Sequence, residues 1–147
     1  MNKQTEIAVE KFLSGYNCAQ AVLFAHADAA GIDPESALKI ATGFGGGIAR
    51  RGEMCGAVSG GVLAISMKHG RGAGMDRSAT ECAYQKIQAL MAAFEKKHGS
   101  TQCRVLVDGC DFMTPEGQSK YKERNMMRNQ CAGCVATVSE SLDSLLK

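Results

Sequence analysis

Gly43-Phe44-Gly45-Gly46-Gly47-Ile48-Ala49-Arg50-Arg51-Gly52-Glu53-Met54-Cys55-Gly56-Ala57-Val58-Ser59-Gly60-Gly61 carries eight of the chain's seventeen glycines in nineteen residues. Glycine loses more conformational freedom on folding than any other residue, so it is kept where backbone turns tightly or approaches something closely. The first half of the stretch reads as a polar, basic loop. The second half opens an apolar run that reads as a helix from about Gly56 to His69. Gly56, Gly60 and Gly61 each lower helix propensity by about 1 kcal/mol relative to alanine. The expected compensation is close packing of a neighbouring helix or a bound group. Cys55 lies at the junction, at a helix N-terminus beside Arg50 and Arg51, which points to redox or metal chemistry at cysteine.

Outward from this stretch the chain reads as helices. Val9, Phe12 and Leu13 give helical spacing to Lys3–Leu13. Asn17 is an N-cap for an alanine-rich helix that runs from Cys18 to Gly31. Asp33-Pro34 starts a helix to about Thr42, with proline at the first helical position. After Gly70–Gly74, Asp76 caps a long helix to about Lys97 with Ile87, Leu90, Met91 and Phe94 on one face. Ser100 or Thr101 caps a short helix containing Cys103. Thr114-Pro115 starts another through about Met127, and a last helix opens near Cys131. No strand-like alternation persists, so the expected fold is all-α: one multi-helix domain over 1–147, with the glycine loop at the cysteine site.

Length and apolar content suit an ordinary globular domain with a real core. A net charge of +2 without a basic run argues against nucleic acid. The polar start of the chain and the lack of an apolar run of roughly 18 residues argue against a signal peptide or membrane insertion. A cytoplasmic location is expected. Seven cysteines in a reducing compartment then point to metal binding, redox activity or simple burial rather than structural disulfides.

This reading puts Cys18, Cys55, Cys103 and Cys131 at helix starts. Unpaired N–H groups and the positive dipole end favour a thiolate there and lower its pKa. Four converging thiolates would suit a Cys₄ metal site or an iron–sulfur cluster. Cysteine is also a common buried hydrophobe, and Cys82 and Cys110 read as structural or accessory. Cys131-Ala132-Gly133-Cys134 is a C-x-x-C pair. Val135 stands where covalent haem attachment needs histidine, so no c-type haem is expected. His26, His69 and His98 read as core, surface or helix-end residues. Gly45, Gly46, Gly47 and Gly56 are candidate cofactor-contacting backbone, but the loop is neither a P-loop nor a dinucleotide fingerprint. Lys120–Arg124 reads as a solvated helix face.

Cys55-Gly56-Ala57-Val58-Ser59-Gly60 resembles the motif of the C_GCAxxG_C_C family, which is named for a proposed redox activity. Asn17-Cys18-Ala19-Gln20-Ala21-Val22 is similar to its first cysteine segment, Gly43–Gly47 with Gly52–Cys55 to its central loop, and Cys103-Arg104 to its third cysteine. The fourth falls at Cys131 or Cys134. The resemblance covers nearly the whole chain. It implies kinship with a domain of split-Soret cytochromes, a helical scaffold able to support metal redox cofactors and to dimerise, and a redox partner linked to uptake by transporters.

Three functions follow as expectations. The first is an electron carrier or oxidoreductase in which Cys18, Cys55, Cys103 and Cys131 hold an iron–sulfur cluster. The second is a metal-free thiol–disulfide oxidoreductase with Cys55 as the reactive thiol. The third is a non-enzymatic zinc or copper module.

Overall fold

A computed structural model describes all residues, Met1 to Lys147. The helices are α1 (Lys3–Leu13), α2 (Cys18–Ala25), the single turn α3 (Ala27–Ala30), α4 (Pro34–Ala41), α5 (Gly56–His69), α6 (Ser78–His98), the single turn α7 (Cys103–Leu106), α8 (Pro115–Glu123) and α9 (Ala132–Leu145). The only β-type pairing is an isolated antiparallel bridge between Met54 and Gln102. The fold is all-α, as the periodicity predicts. No helix is long and apolar enough to cross a membrane.

The Asn17, Asp33 and Thr114 caps fall where the sequence puts them, whereas α6 is preceded by Arg77 rather than capped by Asp76, and α7 by Gln102 rather than by Ser100 or Thr101. The Asn17 side chain accepts from the Gln20 N–H while the Gln20 side chain accepts from the Asn17 N–H, a reciprocal box that fixes the start of α2. Asp33 accepts from the Ser36 N–H and Thr114 from the Gly117 N–H, each ahead of a proline at the first helical position. Helix α5 is the centre of the molecule. Its residues from Gly56 to Gly61, with Ala64 and Ile65, are buried. A helix apolar all round must be enclosed, and α2, α6 and α9 enclose this one. Phe94, Leu23, Ile65, Leu90 and Leu142 fill the core between them. Each contributes about 1.5–3 kcal/mol by leaving water.

The glycines of α5 answer to packing. A Cβ on Gly60 would lie 2.8 Å from Ala19 O and 3.2 Å from Ala19 Cα. One on Gly61 would lie 2.7 Å from Leu90 Cδ2 and 2.8 Å from Val138 Cγ1. One on Gly56 would collide with Cys18 Sγ. The motif therefore lets three neighbouring helices approach the central one.

Three expectations need correction. The alanine-rich helix does not run unbroken to Gly31: it bends at His26 (φ −108°, ψ 14°), whose ring bonds across the core to Ser139. Helix α8 ends at Glu123 rather than Met127, because Asn125 takes a left-handed conformation (φ 50°). Cys131 does not open the last helix. The chain becomes helical again at Met126, runs through a π segment at Met127–Cys131, and continues into α9. Asparagine tolerates left-handed backbone better than most residues, so the break falls there and not at the C-x-x-C pair.

Candidate functional site: a cysteine-floored cleft

Between the glycine loop, the start of α5, α7, α8 and the π segment lies a cleft of about 730 Å³. Its lining includes Cys18, Cys55, Cys103, Cys131 and Cys134. It contains no histidine, aspartate or glutamate. Another depression, over one face of α1, carries no thiol.

Each element sets one thiol. The Asn17 box places Cys18 at the first residue of α2. Cys55 caps α5 in an extended conformation, and its N–H donates to Thr101 O (2.7 Å). The Cys103 N–H donates to Glu53 O (2.6 Å) and the Arg104 N–H to Gly52 O (3.1 Å). These bonds tie residues 52–55 to residues 101–104 and bring Cys55 and Cys103, 48 positions apart in sequence, to the same cleft. The π segment delivers Cys131, with Cys134 one turn later. Widened turns of this kind are frequent at functional sites.

The loop that closes the cleft is strained. Gly46, Gly47, Ile48, Ala49 and Arg50 all have positive φ (64°, 68°, 67°, 47° and 71°) and form one left-handed turn. Left-handed backbone costs about 1–2 kcal/mol for each non-glycine residue, and three of the five are not glycine. Bonds from the Ala49 N–H to Gly43 O (3.0 Å), the Gly52 N–H to Gly46 O (3.1 Å) and the Glu53 N–H to Gly47 O (2.9 Å) offset that cost. Arg104 Nη2 adds a bond to Arg51 O (2.9 Å).

Gly45, Gly46 and Gly56 line the cleft as candidate cofactor-contacting backbone, whereas Gly47 lies behind it. There a Cβ would collide with Glu53 N and stand 2.8 Å from Cys103 Cβ. Arg50 lines the cleft. Arg51 turns away and pairs with Glu53 (3.3 Å) on the exposed surface. Cys82 is exposed on α6. Cys110 is buried outside the lining, in a small cluster with Val107 and Met126. The three histidines also lie elsewhere and bond to Ser139, Leu145 and Thr137.

Two side chains not singled out by sequence complete the walls. Tyr121 lines the cleft together with Cys131 and meets Phe112 edge-on (centroids 5.0 Å apart). Lys120–Arg124 is therefore not simply a solvated face. The available signal was spacing: Tyr121 stands one helical turn after Gly117, which is buried.

The thiols are harder to ionise than the helix ends suggest. Burial, then the Cys55 charge, pushes Cys18 up to about 12, although N–H groups of Gly46 and Ala19 oppose the shift. Cys103 is pushed up to about 12 by burial and by Cys55, Cys18 and Cys131, against Arg104. Burial also pushes Cys131 up to about 12, against a hydrogen bond from Tyr121. Cys55 is raised well above the usual thiol range, first by its hydrogen bond with Cys134 and then by burial. The expectation of a lowered Cys55 pKa is thus overturned. N–H groups of Ala57 and Val58 do favour its thiolate, but burial among other thiols outweighs them.

No three histidine, cysteine, aspartate or glutamate side chains converge closely enough to hold one metal ion. The donors instead surround a cavity and are all sulfur. A thiol-only set with backbone N–H groups aimed at the sulfurs fits iron–sulfur chemistry.

The fold and site define an all-α, cysteine-floored domain closed by a strained glycine loop. Residues 16–145 match the family model described as "Putative redox-active protein (C_GCAxxG_C_C)". The chain belongs to the C_GCAxxG_C_C family. No curated protein matches it, and no solved structure does.

Proposed function

We propose that the chain is an electron-transfer protein in which Cys18, Cys55, Cys103 and Cys131 ligate an iron–sulfur centre. The observation that carries this reading is the composition of the cleft: five thiols, and no carboxylate or imidazole. Burial, and after it mutual repulsion, keeps the free Cys18 and Cys103 thiols protonated; cations joining the cluster offset both, because metal binding requires and stabilises thiolates. Donors spread around a cavity favour a polynuclear centre over a single zinc or copper ion. The chemistry such a centre supplies is one-electron uptake and release. The chain's own contribution is to hold the ligands on four separate elements and to aim the Gly46, Ala57 and Val58 N–H groups at the Cys18 and Cys55 sulfurs. Hydrogen bonds of this kind tune potential. Tyr121 does the same for Cys131.

Cys131 is taken as the fourth ligand because it is partly exposed at the cleft, whereas Cys134 is buried beside Cys55. The thiol–disulfide reading loses its main support, since a protonated, buried Cys55 is a poor nucleophile.

The test is purification without oxygen followed by a visible spectrum and by iron and acid-labile sulfide analysis. Visible absorption with stoichiometric iron and sulfide is the expected result. Stoichiometric zinc or copper, or a colourless metal-free protein, overturns the proposal.

A further inference from the structure

The cleft has a second half that thiol ligation does not use. Above the sulfur floor its lining includes Arg50, Lys122, Phe112, Tyr121 and Asn125. Arg50 and Lys122 are the only ionised side chains in the lining, and both are cations. Neither has an acidic partner, since the one ion pair of the chain joins Arg51 to Glu53. The carboxylate of Asp111, next to Phe112 in sequence, accepts from the Met113 N–H (2.9 Å). Lys11 Nζ lies 4.0 Å from the ring centroid of Phe24 and 4.7 Å from that of Tyr16, the latter a lining residue.

The cations sit against an apolar wall. A Cβ on Gly46 would lie 3.3 Å from Arg50 Cγ and 3.7 Å from Phe112 Cδ2, so the arginine stem and the phenyl edge both border Gly46. Phe112 in turn packs edge-on against Tyr121. The guanidinium is placed by the strained left-handed turn, whose final residue is Arg50 (φ 71°). A concave site with an apolar body and a few polar anchors is the usual form of a small-molecule pocket, and about 730 Å³ lies within the range such pockets occupy. Unopposed cations in a cleft with low-dielectric walls concentrate anions there.

We infer that the cleft mouth is a binding subsite for a small organic anion, one whose carboxylate or phosphate meets Arg50 and Lys122 while its apolar body lies on Phe112 and Tyr121. Identifying that anion as a redox partner rests on the cleft floor being the redox centre. Anion binding itself does not.

The test uses the full-length chain, reduced and held in chelator. Each cysteine is alkylated with negatively charged iodoacetate and with neutral iodoacetamide, and the sites are read by peptide mass spectrometry. The ratio of the two rates at one cysteine cancels its thiolate fraction and reports the local field. The exposed Cys82 is the internal standard. The ratio at Cys131 is expected to exceed that at Cys82 by roughly fivefold at low salt. Arg50→Gln with Lys122→Gln should remove the excess. Lys122→Gln alone, outside the strained turn, should remove part of it. Citrate should slow alkylation at Cys131 saturably and leave Cys82 alone. Equal ratios at the two cysteines, or an excess that survives both substitutions, overturns the subsite. Iron and sulfide content is measured separately, so either proposal can fail while the other stands.

Discussion

Replacing Gly60 by alanine sets two physical effects against each other. Helix propensity alone predicts stabilisation of about 1 kcal/mol. Packing predicts the reverse. The new Cβ would stand 2.8 Å from Ala19 O, 3.1 Å from Val22 Cβ and 3.2 Å from Ala19 Cα. Two of these are backbone atoms of α2, which cannot swing aside as a side-chain tip can, so α2 must move off α5. Overpacking of this kind costs about 3 kcal/mol at the upper end of its usual range. The net loss is about 2 kcal/mol. For 147 residues the unfolding entropy is about 0.3 kcal/mol/K, so Tm should fall by about 6–7 °C. Helical circular dichroism on heating the metal-free chain measures this directly. Gly133→Ala is the paired control: Gly133 is exposed in α9, has ordinary helical φ, and nothing lies within 4 Å of its added Cβ. Its Tm should rise by about 2–3 °C. A rise with Gly60→Ala comparable to that control would refute the claim that the motif glycines exist for helix approach.

Removing Cys131 should cost the protein its iron and sulfide, whereas Cys134→Ser should retain both with an altered spectrum. Metal analysis of the two variants purified without oxygen decides this, and equal loss from both would mean that the centre uses five thiols. In the metal-free chain, Cys82 should alkylate first and Cys55, Cys103, Cys110 and Cys134 last, because Cys82 is exposed and those four are buried. Timed mass spectrometry that finds Cys55 reacting first would restore the activated-thiol reading. Acid should also weaken the fold through His26, which is buried 2.7 Å from Ser139 Oγ. Burial lowers its pKa below 6.5 despite the pull of Asp143, and burial, then Lys97, lowers that of His98 as well. The fold therefore prefers neutral imidazoles. That contribution is fully present above about pH 6.5 and is lost as pH falls from there toward the folded values. Urea midpoints at pH 7.5 and 5.5 should show the drop, and an NMR titration placing His26 above 6.5 would contradict it.

The helices were largely legible because their signals are local. Asn17, Asp33-Pro34 and Thr114-Pro115 cap helices through bonds within three residues, and caps of that reach are written in short sequence words. The end of α8 was not legible in the same way. Asn125 carries the break, but Met126 and Met127 continue an apolar pattern that periodicity reads as more helix. The π segment has no composition of its own. The last α-helix does begin beside Cys131, at Ala132, but helical backbone precedes it, so Cys131 lacks the free helix end assigned to it.

The site divides along the same line. Glycines at 45–47 signalled special backbone, yet the left-handed turn continues through Ile48, Ala49 and Arg50, residues that favour other conformations. Local bonds to Gly43, Gly46 and Gly47 carbonyls hold them in part, and the nonlocal pairing of residues 52–55 with residues 101–104 anchors the end of the loop. That pairing also joins Cys55 to Cys103, so the anchoring of the loop and the assembly of the thiols are linked. The pKa directions follow from it. Helix N-termini lower a thiol pKa when water surrounds the sulfur. In this fold, the contacts that gather the cysteines also bury them against one another, and desolvation with mutual repulsion outweighs the N–H groups of Gly46, Ala57 and Val58. A dipole effect can be inferred from a cap, whereas the burial that opposes it exists only after α2, α5, α7 and the π segment have met. The family motif belongs to both levels. Its cysteine supplies a donor, and its glycines supply the close approach without which Cys18 and Cys55 would not share a cleft.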